Sequence, residues 1–178
     1  SSVENDFAIK ALFVPPYLRK IKWSEALFRR LNKFTGLGNT VRYGVRAGSR
    51  WPFTMDQPNS DYAPYPFFMG YAASNLREHG FDVNILDAVA EIEYDYEAFL
   101  QEIKLEKADI VVLECSTPTI DIDVWFANKV AEFSKVALAG PHLNKTTVAE
   151  IMPENPKISF YLLGEYILSS LKMAKSQK

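Results

Sequence analysis

Three short segments carry the residues whose types and spacing suit ligand chemistry. Ser116, Thr117 and Thr119 surround Pro118; Ala139 and Gly140 precede Pro141 and His142; Gly164 precedes Glu165. Hydroxyls donate and accept hydrogen bonds, and glycine lets another backbone or a flat ligand come close. Asp87 adds a carboxylate, while Arg50 and Trp51 put a cation next to a π face. Such groups bind and orient a molecule. They do not form an activated nucleophile with its base, so no catalytic residue is assigned and a hydrolase has little behind it. Each segment also has a plain structural reading: a turn at 116–119, a turn glycine at 140, a first-turn acid offsetting a helix dipole at 165, and a stacked Arg–Trp pair in a loop.

Composition narrows the chemistry further. Cys115 is the sole cysteine of 178 residues, so an internal disulfide, a thiolate zinc cage and a cysteine-held iron–sulfur cluster are excluded, and with His79 and His142 the only histidines a histidine-rich metal site is not expected. Hydrophobic residues at 48% and charged residues at 24% are globular values. A formal net charge of −2 gives no general pull on nucleic acid, which is not an expected partner. The charge is unevenly spread: nine Lys or Arg against Glu25 alone between Tyr17 and Trp51, then ten acids against Arg77 alone from Pro52 to Glu102. No apolar run reaches the roughly 18 residues of a membrane span, no secretory pattern opens the chain, and Ser1 in place of Met points to a trimmed start. A cytoplasmic setting is expected.

The elements that must position these residues follow from apolar periodicity. Phe7–Val14 reads as a central strand, 67–79 as a helix between Pro66 and Gly80, and 81–86 as a strand. Tyr96, Phe99, Leu100 and Ile103 mark a second helix, 110–113 a third strand, and Ile122, Phe126, Val130 and Phe133 a third helix. Strand 136–139 follows, then a short helix with a capping box at Thr147 and Glu150, strand 158–163 and helix 165–175. Strict alternation of short strands and helices predicts one α/β domain over 1–178: a doubly wound, five-stranded, mainly parallel sheet of Rossmann or flavodoxin type. In such sheets ligands bind beyond the carboxyl ends of the strands, where strand order reverses. Residues 15–66 form a long insertion after strand 1, and Trp23, Leu27, Leu31 and Phe34 give it a basic amphipathic helix. That helix is expected to pack on protein; membrane contact is not expected.

No G-x-x-x-x-G-K-[ST] or G-x-G-x-x-G loop follows any strand, Pro15-Pro16 replaces a flavin phosphate loop, and Glu114 stands where a receiver domain would carry its Asp. The ordered set 65–88, 108–119, 138–142 and 163–165, with Gly48-Ser49-Arg50-Trp51-Pro52, instead resembles the N-terminal cobalamin-binding domain of cobalamin-dependent radical S-adenosylmethionine enzymes, over about Phe7 to Leu171. The resemblance implies a corrin held across the carboxyl edge of the sheet. Its site residues would be Arg50, Trp51, Asp87, Ser116, Thr117, Pro118, Thr119, Ala139, Gly140, Pro141, His142, Gly164 and Glu165, with Ala139, Gly140 and Ser116–Thr119 as the floor. It also implies a methyltransferase whose radical barrel, S-adenosylmethionine site and iron–sulfur cluster lie outside this chain, since one cysteine cannot hold the cluster. The chain has no D-x-H-x-x-G motif, so a histidine ligand to cobalt is not expected; His79 reads as a cap or surface residue. A second expectation, of another class, is a cofactor-free interaction domain that docks substrate or a partner domain through the same crevice.

Overall fold

Ala11, Leu12 and Phe13 are completely buried in the middle of a five-stranded sheet, as an apolar run flanked by strands on both sides requires. The computed structural model describes residues 10–14, 65–87 and 96–177. Arg50, Trp51, the basic helix and most of the 15–66 insertion lie outside the described residues. The strands are β1 (Lys10–Val14), β2 (Asp82–Ile85), β3 (Ile110–Glu114), β4 (Lys135–Ala139) and β5 (Phe160–Leu162). They pair in parallel in the order β2-β1-β3-β4-β5, with Phe13 opposite Ile85 on one side and Val112 on the other. The order reverses between β1 and β3.

Among the described residues, five helices cover the two faces: α1 (Phe67–Glu78), α2 (Tyr96–Leu105), α3 (Ile120–Val130), α4 (Lys145–Glu154) and α5 (Tyr166–Lys175). Side chains alternate across a strand. Ala11, Phe13, Ile110, Val112, Ala137 and Ala139 therefore meet α1 and α5, through Met69, Ala72, Ala73, Leu76, Tyr166 and Met173. Leu12, Val111, Leu113, Val136 and Leu138 meet Phe99 and Ile103 of α2 and Phe126, Ala127 and Val130 of α3, with Val148 and Ile151 of α4 at the margin. Phe99 and Phe126 stack at 5.9 Å between ring centres. The doubly wound α/β architecture expected from the alternation is the one observed.

Local signals set the helix ends. After α1, the Gly80 N–H reaches the Arg77 carbonyl and the Phe81 N–H reaches Leu76, while Gly80 takes a φ of +80°. That is the hydrogen-bond pair of a glycine C-cap, and buried Phe81 supplies its apolar contact. The exposed His79 closes this end, its Nδ1 2.7 Å from the Asn75 carbonyl. The capping box of α4 differs from expectation. It is Asn144, not Thr147, that caps the helix: Asn144 Oδ1 accepts from the Thr146 and Thr147 N–H groups, and Thr147 Oγ1 accepts from the Asn144 N–H at 3.0 Å. An Asn three residues upstream caps as well as a Thr, and Thr147 does the work assigned to Glu150. Among the described residues, no helix is long and apolar enough to cross a membrane.

Candidate functional site

At the carboxyl edge of the sheet, the candidate residues follow the ends of four of its five strands, β2, β3, β4 and β5. From β3 the chain runs through Cys115 and Ser116 into a 3-10 turn at Thr117–Thr119 and straight on into α3. The first turn of α3 presents Asp123, which is buried, and this residue organises the segment. Its Oδ2 accepts from Thr119 Oγ1 at 2.6 Å and from the Ser116 N–H at 3.2 Å, and the Ser116 and Thr119 hydroxyls lie 2.8 Å apart. Both hydroxyls, themselves buried, thus hold the turn. Thr117 is the exposed one, and its Oγ1 lies 3.2 Å from His142 Nδ1, linking the β3 and β4 ends. Pro118 lies within the same turn.

At the end of β4, Gly140 adopts a φ of +117°, and a Cβ there would press into the Cys115 carbonyl and lie 3.0 Å from its nitrogen. This glycine lets another backbone approach. The contact is cemented by the Ala139 carbonyl, which accepts the Cys115 N–H at 2.7 Å and its thiol at 3.1 Å. Ala139 faces inward in the sheet core. Pro141 is exposed and His142 half-buried, its carbonyl accepting from Thr147 Oγ1 at 2.8 Å. At the end of β5, Gly164 has a φ of +69° with open space where a Cβ would stand, and Glu165 is the exposed N-cap of α5 with no side-chain cap bond. Asp87 lies half-buried just past β2.

Beneath this edge lie groups that periodicity alone does not announce. Glu114 ends β3 at 2% exposure, and its Oε1 accepts the Tyr166 hydroxyl at 2.9 Å, tying the central strand to α5. Burial, then the charge and hydrogen bond of Glu114, push the Tyr166 phenol far up. Burial likewise pushes the Cys115 thiol up, and the Asp123 and Glu114 carboxylates add to it. A thiol so held is not a nucleophile. Among the described residues, no group of three His, Cys, Asp or Glu is placed to hold a metal ion.

The signal for Asp123 is present in the sequence as an acid four residues after Thr119 in a helix's first turn. The Glu114–Tyr166 pair has no local signal, its partners standing 52 residues apart. Of the residues expected to form one site, Asp87, Ser116–Thr119, Ala139–His142, Gly164 and Glu165 lie at one edge; Thr117, Pro141, Gly164 and Glu165 are exposed there, while Ser116, Thr119, Ala139 and Gly140 are buried. No family model, curated protein or solved structure matches the chain.

Proposed function

We propose that this chain is a cobalamin-binding module of the kind that serves radical S-adenosylmethionine enzymes, methyltransferases in particular, holding a corrin at the carboxyl edge of its sheet. The observation that supports this reading best is the gathering of Asp87, Thr117, Pro141, His142, Gly164 and Glu165 along one edge of a single parallel sheet, at and around the reversal of strand order. The expected floor is not open, since Ser116, Thr119, Ala139 and Gly140 are buried, so the exposed residues of the edge would hold the group. A corrin carries a fringe of amides, for which the Thr117 hydroxyl and the Glu165 and Asp87 carboxylates would be partners, and nothing lies within 4 Å of where a Gly164 Cβ would stand. The cobalt would arrive already held by the macrocycle, so the reading requires no metal cage built by the protein.

When bound, the corrin supplies a cobalt centre able to carry a methyl group; the chain's residues bind and orient it. Asp123, through Thr119 and Ser116, holds the β3 loop so that Thr117 faces outward. Gly140 locks the β4 loop beside it. The partner in this reading is the radical catalytic domain, with S-adenosylmethionine and the iron–sulfur cluster held there, and the lone thiol favours a cytoplasmic setting.

A second reading is favoured by the aromatic surface at the start of α1, where Tyr65, Phe67 and Tyr71 are each more than half exposed. There the same edge docks a partner domain without a cofactor. Titration with hydroxocobalamin, desalting and a visible spectrum separates the two. Corrin retained by the wild type and lost at least tenfold in Thr117→Tyr, which fills the edge from an exposed position, supports the module; no retention at high micromolar cofactor leaves the docking reading.

A further inference from the structure

The opposite edge of the sheet holds a groove of about 730 Å³, within the roughly 300–1,000 Å³ of small-molecule sites. It lies below the amino ends of β3, β4 and β5. Four lysines line it, Lys104, Lys107, Lys135 and Lys157, against the single acid Asp109. Asp109 Oδ2 is already engaged by the Lys10 N–H at 2.9 Å, and Lys135 Nζ donates to the neutral amide of Gln177 at 2.5 Å. The nearby Glu106 is held by Lys10 Nζ at 2.9 Å and by Asn84. Among the described residues Lys104, Lys107 and Lys157 have no ion-pair partner. In a chain of net charge −2, four lysines against one carboxylate line a single concavity, a local excess of positive charge.

Helix-dipole compensation accounts for Lys104, in the last turn of α2, but not for Lys135 or Lys157, which lie outside the helices. Lys107 adds an independent observation. It takes a φ of 50°, the one non-glycine positive φ among the described residues, at a position past a helix end where glycine is the unstrained choice. Strain of this kind persists where a side chain is needed for something else. The groove also has an apolar component: half-buried Phe133, with Lys104 Nζ 5.9 Å from its ring centre, beside buried Ile103 and Ala108.

We infer that this groove is a binding site for a small phosphorylated molecule, its phosphates on Lys104, Lys107, Lys135 and Lys157 and its flat apolar part against Phe133. The site is separate from the carboxyl edge and stands whether or not that edge binds a corrin.

Amide-resolved NMR titration with inorganic pyrophosphate and, separately, with ADP at fixed ionic strength tests it on the whole chain. Saturable shifts around Lys107, Ser134 and Lys157 at submillimolar ligand are expected with both; tighter binding of ADP identifies a nucleotide as the source, and equal binding a free polyphosphate. Lys104→Gln and Lys157→Gln should each weaken binding about fivefold, whereas Lys129→Gln, outside the groove, leaves it unchanged. Lys107→Gly should raise Tm by about 2 °C while weakening binding, because it releases strain kept for the ammonium group. Shifts that persist in the Lys104→Gln, Lys107→Gly, Lys157→Gln triple variant, no saturation by either probe below about 1 mM, or preference for poly-glutamate over both would overturn the inference.

Discussion

Replacing Gly140 with alanine puts a methyl group where the Cys115 carbonyl already stands, in a backbone conformation that L-residues avoid. Two costs combine. The positive φ of +117° alone costs about 1–2 kcal/mol for a residue with a Cβ. The clash adds the cost of overpacking, about 1–3 kcal/mol, and cannot be relieved by a side-chain rotation because the opposing atoms are backbone. The expected loss is about 2–5 kcal/mol, a large share of the roughly 5–15 kcal/mol that holds a domain together. Gly164→Ala is the matched control. Its φ of +69° carries the conformational cost, but nothing lies within 4 Å of the new Cβ, so the loss should stay near 1 kcal/mol. Urea unfolding followed by far-ultraviolet circular dichroism measures both. If Gly140→Ala falls within about 1 kcal/mol of Gly164→Ala, the close approach of the β4 and β3 ends does not exist as described.

Other expectations bear on the same edge. Thr119→Val deletes the hydroxyl that donates to Asp123 at 2.6 Å and should cost about 1–3 kcal/mol in urea unfolding, against no more than about 0.5 kcal/mol for exposed Thr117→Val. Tyr166 and Cys115 hold their protons more tightly folded than unfolded. The stability they contribute is therefore complete below their ordinary values of 10.0 and 9.0 and is lost as pH rises beyond them. Tyr166→Phe should lower neutral-pH stability by about 1–3 kcal/mol and flatten the decline measured between neutral and strongly alkaline pH; an unchanged decline counts against the Glu114–Tyr166 bond. Asn144→Ala should cost about 1 kcal/mol and Glu150→Ala almost nothing, since Asn144 is the residue that caps α4.

Much of the fold was legible because parallel strands buried on both faces read as apolar runs, and because Gly80, Gly140 and Gly164 all punctuate real element ends. The α4 cap differs from the Thr147–Glu150 expectation because Asn144 and Thr147, three residues apart, are both good capping residues, and only hydrogen-bond geometry distinguishes them. At the candidate edge, the sequence located the segments but not the direction of their side chains. Period-two alternation puts Ala139 on the same face as Ala137, inside the core, while Ser116 and Thr119 turn toward Asp123, leaving Thr117 outward. The Glu114–Tyr166 bond joins a strand end to a helix start distant in sequence, and only the packing of α5 against the sheet brings them together.

Titrating the isotopically labelled chain with hydroxocobalamin and following its amide signals tests the central proposal most directly. Saturable changes are expected at Thr117, His142, Gly164 and Glu165, with Asp87 beside them, while Lys107 and Lys157 at the opposite edge stay silent. Saturation with changes elsewhere, or none at all up to high micromolar corrin, would contradict a corrin site at the carboxyl edge.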